Sequence, residues 1–547
     1  MSIDVTNLYD RRADNRWERV CAGDLLERMT WSAPDKDAIV GWAGAYADPA
    51  FERVSYRRAN EVANQVAAAI LARGLSRGDR VLFGCENSVE GYLGKLAAAK
   101  AGLVAVPINP SMAGDVIEDL LRRTQPKFSI VDAEVWPRLE GAFDAVGLSP
   151  DVTIEIGGGP VRSSIGFSEL IDGQPDDEPD VRIHGDDIWE ILFTSGTTSM
   201  PKGAMFSHTS STFSAYGFAL SLTRGLRFES DLVLGTFLPM MYHIGHTIFV
   251  LSAFVSGGTV VLGRKPDHVA TAAAIERERI TALWAGSPAM VGALYRELED
   301  TGRDAGCLTT AVYGWGALPP EVLDGMKKHC AENFVATGIF GQTEAIACHR
   351  FWPDKWREVY ERTAPAVNYV GIPSPLLASR VVDPEGRPLD DSPGVAGEAV
   401  YRSPSVAAGY YQDERSTAEA FRDGWFHSGD SCYRDEDGLR VMVDRYKDIV
   451  KTGGENVSTI RVESVLAMHP AVLKAAVIGV PHETWGEQVT AIVVLKEPGT
   501  LTEDELIAYA RERLAGFETP KAVVFTDGLP ETVGGKVMKY KLRELYR

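Results

Sequence analysis

The sequence predicts an α/β protein: a large N-terminal domain of helix-covered sheets, then a small mobile α+β C-terminal domain. Three observations predict it. Short apolar strands alternate with amphipathic helices over residues 58–313, the pattern of parallel sheets covered by helices. Over about 374–444 the pattern changes to strands punctuated by Pro and Gly, which reads as a β-rich subdomain. After Asp444–Lys447 the alternation restarts for about a hundred residues, enough for a separate domain. The expected division is therefore 1–444 and 445–547, and 547 residues exceed what one core usually organises.

The elements follow in order. Arg58 to Arg73 carries Val62, Val66 and Ile70 at helical spacing, and Asp79–Gly84 is a short buried strand. Val89 to Gly102 is a second helix and Val104–Ile108 a second strand. Further strands are expected at Lys127–Asp132, at Glu190–Phe193, at Gly258–Leu262, at Ala282–Ala285 and at Thr310–Tyr313. Thr247 to Leu262 is interrupted by Ser252, Ser256, Gly257 and Gly258, so it reads as helix, turn and strand and not as a membrane span. Arg380–Asp383 and Glu398–Tyr401 are strands of the β-rich part, and Asp435–Gly438 is a hairpin turn. In the last domain Arg461–His469 and Glu503–Ala515 are helices, while Ala475–Val480 and Val489–Leu495 are strands.

Composition narrows the function. Apolar residues make up 45% and charged residues 24%, as in ordinary globular proteins. A net charge of -20 opposes broad affinity for nucleic acid or an anionic membrane. Six scattered cysteines without a C-x-x-C pair fit reduced thiols in a cytoplasmic protein. The first residues lack the basic and apolar regions of a signal peptide.

One segment points to a nucleotide triphosphate. The apolar Glu190-Ile-Leu-Phe193 runs into Thr194, Ser195, Gly196, Thr197, Thr198, then Ser-Met-Pro, Lys202 and Gly203. Hydroxyls, backbone N–H groups and one ammonium can together wrap phosphate oxygens. It is not a Walker A loop, because Lys202 precedes Gly203 and Ala204, not Ser or Thr. A plain Ser/Gly linker would have no reason for the flanking strand and Pro-Lys-Gly. His208 is expected to cap or pack the helix after the loop.

Four more segments follow: Ile339-Phe-Gly-Gln-Thr-Glu344, Gly424-Trp-Phe-His-Ser-Gly-Asp430, Asp444-Arg-Tyr-Lys-Asp-Ile-Val-Lys-Thr-Gly-Gly-Glu455 and Leu529-Pro-Glu-Thr-Val-Gly-Gly-Lys536. Together and in this order they resemble the adenylate-forming superfamily of acyl-CoA synthetases, nonribosomal-peptide adenylation domains and luciferases. The resemblance runs from about residue 20 to the end. It implies two half-reactions: a carboxylate attacks the α-phosphate of ATP to give an acyl-adenylate and pyrophosphate, then coenzyme A takes the acyl group and AMP leaves. ATP, Mg²⁺ and coenzyme A are the implied cofactor and co-substrates.

The resemblance also implies roles. Thr194–Thr198 and Lys202 would hold the β- and γ-phosphates, and Glu344, with Thr198, would ligate Mg²⁺. Gly316 and Ala317 would pack on adenine, and Gly341, Gln342 and Thr343 would lie along the nucleotide or acyl group. Asp430 would accept from the ribose hydroxyls, with Arg445 as a second ribose or phosphate contact; a salt-bridged pair is the structural alternative. Lys536 would bridge carboxylate and α-phosphate as charge develops. Lys447 would be the hinge whose rotation withdraws Lys536 and brings in Lys451, Gly453 and Gly454, the two glycines lining the pantetheine tunnel. His243 or Tyr242 would be the gate, the Pro239–His243 spacing being one residue longer than the commoner pattern. Trp315 and Phe340 would line the acyl pocket.

No aspartate stands near the gate to pair with a substrate ammonium, and eleven residues follow Lys536, so a stand-alone ligase using free coenzyme A is expected. The segments Glu190–Ser199 and Gly453–Ser458 most resemble the crotonobetaine/carnitine-CoA ligase subgroup, which labels a sequence neighbour and not a substrate. The apolar residues near the site favour an apolar or bulky acid. A resemblance to diterpenoid-acid-CoA ligases implies a diterpenoid acid as one such substrate. The alternatives are an acyl-AMP ligase loading a carrier protein, a luciferase-like oxygenase and a non-catalytic binding protein. A homodimer is one expected assembly.

Overall fold

A computed structural model describes residues 19–42, 44–194, 200–223, 231–240, 242–346, 348–531 and 537–546. Three sheets organise them. The first runs in the order Ile165–Gly166, Val152–Ile154, Phe128–Asp132, Arg80–Gly84, Val104–Pro107, Ile188–Phe193, Gly203–Ser207. All neighbours are parallel except the last pair. Its strands are short apolar runs because helices cover both faces; every residue of Phe128–Asp132 and Val104–Pro107 is buried. The helix Tyr56–Ala72 starts where the Ser55 side chain accepts from the Arg58 N–H, and it buries Val62, Val66 and Ile70 as their spacing predicts. The helix Val89–Lys100 is capped by Ser88 and buried nearly all round.

The second sheet has a parallel centre: Val335–Phe340, Thr310–Gly314, Ala282–Gly286, Val233–Thr236, Thr259–Leu262 and Asp37–Gly41. It then continues antiparallel through His349–Phe351 and Asn368–Pro373 into Arg440–Arg445, Trp425–Arg434, Gly397–Arg402 and Ala378–Val382. The β-rich segment thus extends the large sheet edge to edge. It keeps its own small core of Val370, Val381, Ala399, Tyr401, Phe426, Cys432 and Met442. Asp435–Gly438 is the turn between two of its strands, with the Gly438 N–H donating to the Asp435 carbonyl at 3.1 Å.

The stretch Thr247–Leu262 holds a feature that the sequence pattern does not reveal. Ile244–Val250 is a π-helical turn before the short helix Leu251–Val255 and the strand Thr259–Leu262. Such turns often accompany functional sites.

The third sheet contains Glu455–Val457, Val450–Thr452, Gly486–Leu495, Val472–His482 and Ala522–Phe525. The helices Thr459–Ala467 and Glu503–Arg511 cover it, the latter started by a Thr502/Glu505 capping box. Its core is separate, built on Val462, Leu466, Val477, Val489, Ala491 and Leu506. All six cysteines are free thiols. Among the described residues no helix is long and apolar enough to cross a membrane.

Candidate active site

The strand Ile188–Phe193 delivers Thr194, and Gly203–Ser207 returns antiparallel with Gly203 opposite Phe193. A strand, not a helix, therefore follows the loop directly; His208–Thr223 is the helix after it. The loop is closed at its base by the Thr194 N–H donating to the Lys202 carbonyl at 2.9 Å and the Lys202 N–H donating to Thr194 Oγ1 at 3.3 Å. Gly203 is needed here, since a Cβ would come within 2.8 Å of the Ile191 side chain. Ser195, Gly196, Thr197 and Thr198 lie outside the described residues. His208 packs as expected: its Nδ1 accepts from the Ala22 N–H at 3.1 Å and its ring stacks on Trp189.

From Lys202 a continuous chain of contacts joins the motifs. The Lys202 ammonium lies 5.0 Å from the ring centroid of Tyr410. The Tyr410 hydroxyl donates to Glu344 Oε1 at 2.6 Å, and the Ala407 N–H donates to the Glu344 carbonyl at 2.8 Å. Two residues back, Gln342 Nε2 donates to the Ser428 carbonyl at 3.2 Å and faces Asp430 Oδ2 at 3.4 Å. Asp430 and Arg445 stand opposite one another on neighbouring antiparallel strands and form an ion pair at 3.1 Å. Asp430 is buried and Arg445 half-buried. The salt-bridged alternative is the geometry observed, and it also holds a carboxylate ready for hydroxyl donors. Tyr410 is the member that sequence reasoning missed; Gly409-Tyr410 offered only a loop signal.

On the acyl side, His243 is 2% exposed, packs its ring 3.9 Å from that of Phe206, and has Nδ1 at 2.9 Å from the Thr343 carbonyl. That carbonyl can only accept, so Nδ1 carries the proton. Burial pulls the pKa of His243 down to about 3, which keeps the ring neutral. The Tyr242 hydroxyl accepts instead from Asn109 Nδ2 at 3.2 Å. Trp315 is 46% exposed with φ +66, its ring 5.3 Å from that of Trp284. Gly316 and Ala317 follow on the same loop, where a Cβ on Gly316 would meet Pro288 at 3.7 Å. Phe340 is not brought together with Trp315. Side chains alternate along a strand, and Phe340 turns toward His349 and the small antiparallel core while Ile339 joins the core of Trp284.

A buried ion pair lies behind this site. Lys95 and Glu190 contact one another, both at most 5% exposed in their side chains. His246, on the π-helical turn, has Nε2 3.8 Å from Glu190 and Nδ1 3.1 Å from the Tyr92 hydroxyl. Burial, then Lys95 and His243, pushes its pKa well below the ordinary histidine value. Glu190 opens the phosphate-loop motif, so the pair fixes that strand to the helix Val89–Lys100. Its only sequence signal was a charge set in each of two apolar runs.

At the domain junction Asp444 accepts from the Thr459 N–H and hydroxyl, both at 2.6 Å, and Arg543 pairs with Asp448 at 2.6 Å. Lys447 reaches the surface, yet partial burial and the nearby Arg445 lower its pKa to about 8. The Lys451 N–H donates to Glu487 at 2.9 Å. Gly453 and Gly454 form the turn between Val450–Thr452 and Glu455–Val457 with φ of +58 and +89. Both values favour glycine on backbone grounds alone. Lys536 lies outside the described residues; the segment holding it is bracketed by a bridge between Glu531 and Val537.

The donor set suits a magnesium nucleotide: one buried carboxylate, Glu344, a hard oxygen ligand, beside a lysine-bearing loop. The chain is also similar to known proteins. The AMP-binding enzyme profile matches residues 27–411, and the profile for the AMP-binding enzyme C-terminal domain matches residues 461–536. A feruloyl-CoA synthase of Amycolatopsis sp. is 32% identical over 496 residues, covering 90% of this chain and 92% of that protein. A CoA ligase of Rhodococcus jostii, whose acyl group is a propanoyl chain on a methyl-dioxo-octahydroindenyl ring system, is 30% identical, covering 90% and 94%. The crystal structure of the anthranilate CoA ligase AuaEII with anthranoyl-AMP superposes with a TM-score of 0.84 at 25% identity, covering 96% and 97%. The chain belongs to the AMP-binding enzyme family.

Proposed function

We infer that this enzyme is an ATP-dependent acid–CoA ligase acting on a bulky, largely apolar carboxylic acid. The observation that carries the reading is the unbroken chain Lys202–Tyr410–Glu344, continued by Gln342–Asp430–Arg445, which links the ends of strands from two sheets. In the first half-reaction a carboxylate oxygen bonds to the α-phosphorus and the bond to pyrophosphate breaks. In the second, the coenzyme A sulfur bonds to the acyl carbon, its proton leaves to solvent, and the acyl C–O bond breaks to release AMP.

The chain's own residues screen and orient these anions. Lys202 and the loop after Thr194 would hold the departing pyrophosphate. Glu344, oriented by Tyr410, would hold Mg²⁺, which supplies positive charge to the phosphates when bound. Asp430 and Arg445 would take the ribose, and Gly316 and Ala317 would flank adenine. His243, which touches Thr343, is the gate residue nearest the reacting carboxylate in this reading. Lys536 serves adenylation; Lys447 is the hinge near 444/445 that would exchange it for Lys451, Gly453 and Gly454.

A bulky acid is supported by the exposed Trp315 beside Trp284, and by relatives named as a feruloyl-CoA synthase and as a CoA ligase for a propanoyl chain on an octahydroindenyl ring system. The motif likeness to the crotonobetaine/carnitine-CoA ligase subgroup and a diterpenoid acid substrate belong to this proposal, as does a cytoplasmic setting for six unpaired thiols. Pyrophosphate release across short, long, aromatic and polycyclic acids tests it. Polycyclic acids should give the highest kcat/KM; preference for short linear acids would overturn the substrate class.

A further inference from the structure

Arg350 is a buried cation that the ligase reading leaves without a role. It lies on the strand His349–Phe351 opposite Ile339, which is itself opposite Gly314; Trp284 stands opposite Val312 on the same sheet. Register partners project to one face, so Arg350 emerges on the face of Trp284, Val312 and Ile339. The helix His208–Thr223 and the π-helical turn cover that face through Phe218 and Phe249.

An aromatic wall connects Arg350 to the acyl side of the site. Its guanidinium sits 5.0 Å from the Phe218 ring centroid. Phe218 meets Phe249 edge-on at 5.3 Å, Phe249 stacks on Trp284 at 4.8 Å, and Trp284 meets Trp315 at 5.3 Å. Gly314 lets Trp284 pack close to the strand, since a Cβ there would approach the Ile339 carbonyl at 3.2 Å and the Trp284 ring at 3.5 Å.

The electrostatics are unusual for an internal arginine. Arg350 is 5% exposed, and its polar contacts are the Ser221 hydroxyl and the Gly217 carbonyl, the latter at 3.0 Å. Among the described residues no carboxylate pairs with it, and neither its Nε nor the indole Nε1 of Trp284 has an acceptor. Burial without a counter-charge lowers its pKa to about 10, so it still carries its charge at neutral pH. Among the described residues only neutral groups hold this buried charge, which is costly, and two donors without acceptors on one face would suit an oxygen supplied by a ligand.

We propose that Arg350 forms the distal end of the acyl pocket and selects acids bearing an oxygen acceptor, a ketone or a second carboxylate, remote from the reacting carboxyl group. This rests on the acid-ligase reading and adds the chemistry of the far end of the substrate.

The test uses the full-length enzyme with a polycyclic keto acid, its deoxo analogue and a matching dicarboxylic acid, read as kcat/KM for pyrophosphate release. The wild type should favour an oxygenated acid over the deoxo analogue by about 10-fold to 100-fold, the range of a hydrogen bond to a charged group. Whichever of ketone and dicarboxylate is faster names the acceptor. Arg350→Met should reduce that ratio to about one while sparing turnover of the deoxo acid, and Arg350→Lys should fall between. A wild-type ratio near one overturns the proposal, as does an equal loss for both acids in Arg350→Met, which marks a strand-to-helix clamp. The wild-type ratio and Arg350→Lys decide the matter even where Arg350→Met does not fold. If no acid is activated, the ligase reading fails first; titration calorimetry with the same acids needs no turnover, and equal affinities then overturn the Arg350 subsite separately.

Discussion

Gly454 separates what the fold requires from what the second half-reaction requires. In this structure a Cβ on Gly454 meets nothing within 4 Å, so a side chain has room. Its φ of +89 is the remaining cost, about 1–2 kcal/mol for an L-residue held in left-handed backbone. For a domain of about a hundred residues, 1 kcal/mol lowers the melting temperature by about 4–8 °C. Gly454→Ala and Gly454→Trp should therefore fold, with similar modest losses of stability. If this turn lines the pantetheine path after rotation at Lys447, the two variants differ in function. Pyrophosphate release from acid and ATP should stay within about 2-fold of wild type in both, because only backbone strain is added. Thioester formation from supplied acyl-AMP should fall by at least about 10-fold in Gly454→Trp, the 1.4 kcal/mol scale of a steric misfit. Stopped-flow pyrophosphate detection and chromatography of the thioester read the two steps. Normal coenzyme A turnover by Gly454→Trp would refute the tunnel reading and leave the glycines as turn residues only.

Tyr410→Phe removes the 2.6 Å hydrogen bond to Glu344 and should lower adenylation kcat/KM by about 10-fold, with thioester formation from acyl-AMP unchanged; equal loss in both steps would contradict it. Lys536→Ala should slow adenylation and spare thioester formation, measured by the same pair of assays. Burial lowers the pKa of His208 to about 4, against about 6.5 when unfolded. Its contribution to stability is complete above pH 6.5 and is lost as pH falls toward 4, because the unfolded chain takes up the proton first. Urea unfolding of wild type should therefore gain stability with pH about 1.4 kcal/mol per unit more steeply than His208→Gln between pH 4.5 and 6; equal slopes would show that His208 is charged in the folded protein.

The parallel strands were legible because each is a short apolar run wedged between helices, while the first helix starts at Tyr56, capped by Ser55, two residues before the expected Arg58. The Thr194, Glu344 and Asp430 segments were legible because their side chains carry the chemistry themselves. Other features depend on partners far away in sequence. Tyr410 matters only once folding sets it between Lys202 and Glu344, and Lys95 and Glu190 look like misplaced charges until they meet. Phe340 shows the limit of composition: it sits in a site motif, yet the twofold alternation of the strand turns it to the opposite face from Trp284. The β-rich segment looked separate because its joining strands, His349–Phe351 and Asn368–Pro373, are short and carry His, Arg and Asn. At Gly453–Gly454 two reasons coincide, turn backbone and close approach, and a sequence cannot tell them apart.

The central claim is that a carboxylate oxygen attacks the α-phosphorus of ATP, and one isotope experiment tests it directly. The enzyme turns over an acid labelled with ¹⁸O in both carboxyl oxygens, with ATP and coenzyme A, and the products are weighed by mass spectrometry. Cleavage of the acyl C–O bond in the second step leaves the bridging oxygen on phosphorus, so each AMP should carry one ¹⁸O and the pyrophosphate none. Label in inorganic phosphate with formation of ADP, or AMP free of label, would contradict the adenylate mechanism.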